Sequence, residues 1–330
     1  MNDFINECDN LVLEVKGLLK QNTEWILRYR EYAEKIISNI ETIKSLKHGR
    51  FREWSPLYLY MNVTQAKSQM EFSLRYLGQE VARLNAVKDM ITISTKNFVK
   101  NNERDFGCKI KLDDVEWKSK TASDFRRHFL NCTKRTDNSG KKNEEHRIES
   151  LILTEFSKNT GANKAFSYIQ PVKIAGVARF QMPTPLYASD INNLKYCGFR
   201  GGGIDILART GRGSSTKLCI MELKDENEKK EPPAKVIKQG LAYAVFIMEL
   251  LRSESGQNWW KIFGFGGIVP KSIELYVVCV MPSSKNNNTS FADKIIYSGK
   301  DNFHFQYMYF QENNNEVVDV VTSLKKYVSK

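Results

Sequence analysis

Apolar positions near the start of the chain recur at helical spacing. Leu11, Val15 and Leu18, followed by Trp25, Tyr29, Tyr32, Ile36, Ile40 and Ile43, predict helix over 4–46, with Asn22-Thr23 as a break or a fresh N-cap. Residues 49–56 end that region. A second stripe, Met70, Leu74, Leu77, Val81, Leu84 and Ile91, predicts a helix over 64–93. Two such helices joined by a short connection make an antiparallel hairpin. A strand is expected over 108–112 and a short helix over 119–132. The polar run TKRTDNSGKKN, 133–143, is expected to separate a mainly α-helical region, 1–135, from a second domain, 143–330. There, 144–158 reads as a helix with Ile148, Leu151, Ile152 and Phe156 on its apolar face. Residues 166–182 read as a strand or bent hairpin, and 183–196 as a long irregular insertion. Strands follow over 203–208 and 217–223, then a helix over 235–252, a loop region over 253–269 and a buried strand over 272–281. An aromatic strand over 303–310 and a closing helix over 316–328 complete the pattern.

The 201–243 stretch carries the chemistry. Leu218-Cys219-Ile220-Met221 is a short unbroken apolar run, suited to a strand covered on both faces, and it ends in Glu222-Leu223-Lys224. Between this strand and Ile204-Asp205-Ile206 lies Thr210-Gly211-Arg212-Gly213-Ser214-Ser215, strong turn chemistry. A hairpin closing near Gly213-Ser214 sets Asp205 opposite Glu222. Alternation puts Lys224 on the same face and turns the Leu223 side chain away, leaving its carbonyl nearby. Two adjacent buried carboxylates repel one another, and a divalent cation between them removes the conflict. Mg²⁺ takes hard oxygen ligands and keeps several waters, so two carboxylates and a carbonyl suffice. Lys224 would then lie where it can orient a nucleophile or offset developing charge. The other outcome for these charges is a buried salt bridge between Lys224 and Asp205 or Glu222. Gln239 and Tyr243, four apart, share one face of the following helix.

Asp205 followed by Glu222-Leu223-Lys224 resembles the signature of the PD-(D/E)XK nuclease superfamily, the restriction-endonuclease-like fold, with Ile204 where the family name has Pro. Gln239-Gly240-Leu241-Ala242-Tyr243 is similar to the Q-x-x-x-Y motif of its RecB-type exonuclease branch. The resemblance covers residues 143–284. It implies an α/β (α+β) fold with an αβββαβ core on a mixed central sheet. It also implies Mg²⁺, or Mn²⁺, held by Asp205, Glu222, the Leu223 main-chain carbonyl and an acid on the first helix, Glu149, with Glu145 next in line. Lys224 would position or activate the water, and Gln239 and Tyr243 would orient phosphate and lysine. The expected activity is metal-dependent hydrolysis of DNA phosphodiesters in restriction, phage defence or repair, with RNA, and endo- against exonucleolytic cutting, left open. The alternative is a catalytically silent nucleic-acid-binding or assembly module on the same fold. The helical hairpin would serve dimerisation or clamping of DNA, or only support the fold. No helicase or ATPase motif occurs, so any motor or activating subunit would be a separate partner.

Charge and composition agree with a polyanionic partner. The chain has 50 Lys and Arg against 38 Asp and Glu, a net +12. Arg126, Arg127 and Lys134-Arg135 are candidate phosphate contacts or a solvated face. Trp259-Trp260 would stack on bases or pack in the core. Gly201-Gly202-Gly203 is no P-loop, since no Gly-Lys-Ser/Thr follows; it would admit a nucleic-acid backbone or aim Asp205 through a bulge. Asp190 is a distant candidate ligand. The 6 cysteines are scattered without a C-x-x-C, which argues against zinc and for reduced thiols. The opening MNDFINECDN has no signal-peptide pattern. The longest apolar stretch, 241–251, is interrupted by Glu249 and is too short to span a bilayer. A soluble, cytoplasmic protein without a membrane partner is expected.

Overall fold

The computed structural model describes residues 2–49, 51, 53–63, 70–87, 90–96, 105–133, 144–157, 168–211, 213–225, 231–284 and 287–324. Helices α1 (Asn2–Gln21), α2 (Glu24–Ser38) and α3 (Ile40–Ser45) open the chain. Strands β1 (Leu57–Asn62), β2 (Met70–Tyr76), β3 (Gln79–Val87), β4 (Met90–Ser94) and β5 (Val115–Glu116) follow, then α4 (Lys120–Leu130) and α5 (Glu144–Ser157). Next come the short strands β6 (Ile169–Pro171), β7 (Lys173–Ile174), β8 (Ala178–Phe180), β9 (Leu186–Tyr187) and β10 (Lys195–Tyr196). The hairpin β11 (Ile206–Thr210) and β12 (Lys217–Leu223) leads into α6 (Pro233–Arg252) and α7 (Gly256–Ile262). The last strands are β13 (Glu274–Pro282), β14 (Ile295–Ser298), β15 (Asp301–Asn313) and β16 (Glu316–Thr322). The fold is mixed α and β. Among the described residues no helix is long and apolar enough to cross a membrane.

The chain divides into two compact units, neither of them a single stretch. One holds 1–34, 158–172 and 181–330; the other holds 35–157 and 173–180. The expected boundary at 133–143 lies, apart from Thr133, outside the described residues.

The unit containing 35–157 is built on a sheet of order β5-β4-β3-β2-β1-β8-β7, antiparallel except for the β1–β8 pair. Here the expected helix over 64–93 is replaced by strands: 64–69 and 88–89 lie outside the described residues, and the rest form β2, β3 and β4. A spacing of four, as between Met70 and Leu74, fits a helical stripe and a strand face alike. Tertiary burial selects the strand, placing Met70, Phe72, Leu74 and Tyr76 in the core. Leu77 and Gly78, at φ 48° and 76°, form the two-residue turn joining Tyr76 to its partner Gln79. The expected strand at 108–112 does not form; Leu112 instead exchanges hydrogen bonds with Thr95. Arg126 is fully buried, its guanidinium 4.1 Å from the Trp117 ring and donating to the Trp117 carbonyl at 2.9 Å. It is a core residue rather than a phosphate contact. Arg127 lies exposed, 3.9 Å from Asp124, and Lys134 and Arg135 lie outside the described residues.

The other unit is built on a sheet of order β14-β15-β13-β12-β11-β6, with β16 also pairing β15. Strands β6, β11 and β12 are antiparallel neighbours, with β7 to β10 intervening in the chain between β6 and β11; α6 and α7 then lead to β13, parallel to β12, and β15 runs parallel to β13. Every residue of β12 from Leu218 to Leu223 is buried, as its apolar run requires. Helix α6 packs on β12 and β13, and α1 packs on α6, where Lys16 pairs with Glu249 at 3.4 Å and Lys238 pairs with Glu7. Buried between sheet and helix, α6 is apolar on nearly all sides. Where the closing helix is expected, 316–322 form strand β16, and 325–328 lie outside the described residues. Its EVVDVVT run is rich in β-branched residues, and Asn314 and Asn315, at φ 52° and 61°, turn the chain back onto β15. Trp259 and Trp260 are both buried: the Trp259 indole donates to the Tyr29 carbonyl at 3.0 Å, and Trp260 stacks on Phe265. They belong to the core.

Candidate functional site

The β11–β12 hairpin pairs Ile206 with Met221 and Thr210 with Lys217. Continuing that register by one residue sets Asp205 opposite Glu222, as the turn chemistry predicts. The Asp205 carboxylate accepts the Leu223 N–H at 2.8 Å, so its side chain extends the ladder where the strand backbone stops. On the other edge, the Lys224 N–H bonds the Val280 carbonyl at 2.9 Å. The N–H and C=O of one strand residue leave by the same edge, so the Leu223 carbonyl leaves on the Asp205 side. Glu222 is only 2% exposed. A carboxylate buried this deeply needs a compensating charge or donors, and Lys224 Nζ provides one at 3.2 Å. Glu231, from the loop before α6, approaches the same ammonium to 3.8 Å.

Helix α6 reaches this strand end because Gly240 has no side chain. A Cβ there would lie 2.9 Å from Val277 Cγ1 and 3.6 Å from Glu222 Cβ. The close approach carries Gln239 and Tyr243, both buried, to the site. The Tyr243 phenol is held well above its ordinary pKa, first by burial and then by the Glu222 charge, with Asp205 adding to it. Hydrogen bonds with Gln239 and Ser189 act in the opposite direction. Asp205, Glu222, Lys224, Gln239 and Tyr243 therefore form one neighbourhood.

Packing explains Gly201 and Gly202 in the glycine run before Asp205. A Cβ on Gly201 would meet the Thr184 carbonyl oxygen at 2.1 Å, and one on Gly202 would meet the Tyr243 hydroxyl at 2.3 Å. Asp190 caps the short turn after it, accepting the Asn192 N–H at 3.3 Å. Three residues of the neighbourhood were not singled out from the sequence. Gly240 had a usable signal, a glycine inside an apolar helix. Ser189 and Glu231 had none, since each arrives from a loop.

Glu149 lies on α5, in the other compact unit. It is 2% exposed there; Tyr60 donates to one carboxylate oxygen at 2.9 Å and His146 Nδ1 lies 3.4 Å from the other. The Arg75 guanidinium covers the Tyr60 ring at 4.2 Å.

Among the described residues, no group of three or more His, Cys, Asp and Glu is placed to hold a metal ion. What Asp205 and Glu222 present is a pair of carboxylates on one face, with the Leu223 carbonyl leaving on the same side. These are hard oxygen donors of the kind Mg²⁺ takes when water completes its shell, so the donor chemistry fits that ion. The chain matches no family model, no curated protein and no solved structure.

Proposed function

We propose that this protein is a divalent-metal-dependent nuclease hydrolysing DNA phosphodiester bonds on a PD-(D/E)XK-type core. The observation that carries the reading is the β11–β12 register, which sets Asp205 opposite Glu222 with Lys224 Nζ 3.2 Å from the Glu222 carboxylate. The order of elements from β11 onward supports it: an antiparallel hairpin, a helical crossover and a parallel next strand. The proposed site comprises Asp205, Glu222, the Leu223 carbonyl, Lys224, Gln239 and Tyr243. Glu149, with its own partners in the other unit, is left out.

Asp205 and Glu222 would hold Mg²⁺ or Mn²⁺. When bound, the cation would offset phosphate charge and acidify a coordinated water. The Leu223 N–H fixes the orientation of Asp205. Lys224, with Glu222 and Glu231 beside it, would donate to the attacking water or a phosphate oxygen as charge develops. Tyr243, its pKa raised, stays protonated at neutral pH and remains a donor, and Gln239 bonds it.

The test is a cleavage assay on linear, circular and single-stranded DNA with Mg²⁺, Mn²⁺ or EDTA, beside Lys224→Ala. Metal-dependent cutting that disappears in the variant is expected, and cutting of closed circles would mark an endonuclease. The Lys224–Glu222 ion pair also favours a second reading, a catalytically silent nucleic-acid-binding module in which these charges only satisfy each other. DNA binding without cutting under any metal condition would favour that module, or a nuclease that needs a separate activating subunit.

A further inference from the structure

We propose that the segment leading into the site, 184–203, carries a stacking platform for single-stranded DNA; the identity of the polymer rests on the nuclease reading above. Two large aromatic side chains stand at the surface of this short segment: Tyr187 is 38% exposed and Phe199 62%. One cation stands at the Tyr187 ring and two at the Phe199 ring. Lys195, paired directly with Tyr187 across the β9–β10 ribbon, places Nζ 5.3 Å from the Tyr187 centroid. The guanidinium of Arg200 lies 5.5 Å from the Phe199 ring and that of Arg28 5.9 Å from it. Glu24 and Arg28 are both near enough to act on the Tyr196 phenol by their charges.

The segment is braced. Cys197 N–H bonds the Pro185 carbonyl, Gly202 N–H bonds the Leu186 carbonyl and Thr184 N–H bonds the Gly202 carbonyl, each at 2.7 Å. Tyr29 donates to the Pro183 carbonyl, also at 2.7 Å. The rings are therefore presented in fixed positions, without an ordering cost on binding. They are also tied to the site, because Ser189 and Gly202 of this segment both meet the Tyr243 hydroxyl. Phe199 precedes Asp205 by six residues, at most about 20 Å of extended chain.

Aromatic rings interleaved with Lys and Arg match a nucleic-acid strand, whose bases stack and whose phosphates need cations. A single strand is favoured over a duplex because its base faces are open, whereas in a duplex they are covered by neighbouring bases.

The experiment is fluorescence anisotropy with a labelled oligothymidylate and a blunt duplex of equal length, in EDTA. It compares the unsubstituted protein, Phe199→Ala, Tyr187→Ala and Phe199→Trp. Each alanine variant is expected to bind the single strand about 5- to 150-fold more weakly, with duplex binding unchanged and Phe199→Trp close to the unsubstituted protein. Both side chains are exposed, and unchanged melting temperatures would show that the variants fold. Single-strand affinity within twofold in both alanine variants overturns the platform, as does a preference of the unsubstituted protein for duplex. If metal-dependent cutting is seen beside that result, the nuclease reading stands alone. Ring-dependent binding of the single strand without cutting in any metal leaves the platform standing on the binding-module reading, or on a nuclease that needs a separate activating subunit.

Discussion

Gly240→Ala tests the link between fold and site, because local and tertiary terms oppose each other there. In an exposed helix interior the change would stabilise by about 1 kcal/mol, the difference in helix propensity between the two residues. In α6 the new methyl would stand 2.9 Å from Val277 Cγ1 and 3.6 Å from Glu222 Cβ. Val277 is fully buried and β-branched, so its side chain has little rotamer freedom with which to yield. Overpacking of this kind costs about 1–3 kcal/mol. The net expectation is destabilisation of up to about 2 kcal/mol, with α6 displaced from β12. Displacement moves Gln239 and Tyr243 away from Glu222, and a shift of about 1 Å in positioning groups can lower a rate by roughly 100-fold. Urea unfolding followed by tryptophan fluorescence, beside the cleavage assay, reads both effects. Adding Val277→Ala should recover part of the loss, because it removes the clashing methyl. A Gly240→Ala protein as stable and as active as its parent would refute the close-approach argument.

Glu222→Gln is expected to abolish metal-dependent cutting while retaining DNA binding, because the amide keeps the shape of the carboxylate but neither its charge nor its metal affinity; full cutting by this variant would sink the nuclease reading. A pH dependence is expected from His146, whose pKa is raised above its ordinary 6.5, chiefly by the hydrogen bond with Glu149. The stabilisation from this pair is fully present below about pH 6.5, the unfolded value, and is lost as pH rises through the higher folded value. The stability gap between the unsubstituted protein and His146→Ala should therefore narrow on going from pH 6 to pH 8 in urea titrations. A gap that widens instead would contradict the assigned direction.

Much of the site was legible from neighbours in the chain. The turn residues around Gly213 and the apolar run of β12 were enough to set the register that pairs Asp205 with Glu222. The break at Asn22-Thr23 falls between α1 and α2, and the helix carrying Gln239 and Tyr243 forms as expected. Arg126 was not legible as a core residue, because its burial depends on the Trp117 ring and carbonyl. Glu149 has the helical position expected of a first-helix acid, yet helical phase identifies a buried face without saying which sheet covers it. Residues 70–94 show the same limit, since a four-residue apolar spacing satisfies both periods until strand partners decide between them.

By itself the sequence determined the features that adjacent residues control: turns, unbroken apolar runs, helix breaks and the alternation that puts Glu222 and Lys224 on one face. Only the tertiary structure decided which surfaces those elements meet. It brought Ser189 and Glu231 to the neighbourhood of Tyr243 and Lys224, assigned Glu149 to Tyr60 and His146, and made Gly202 and Gly240 the points of close approach. The physical reason is that backbone conformation follows local sterics and periodicity, whereas burial and charge pairing depend on groups that are distant along the chain.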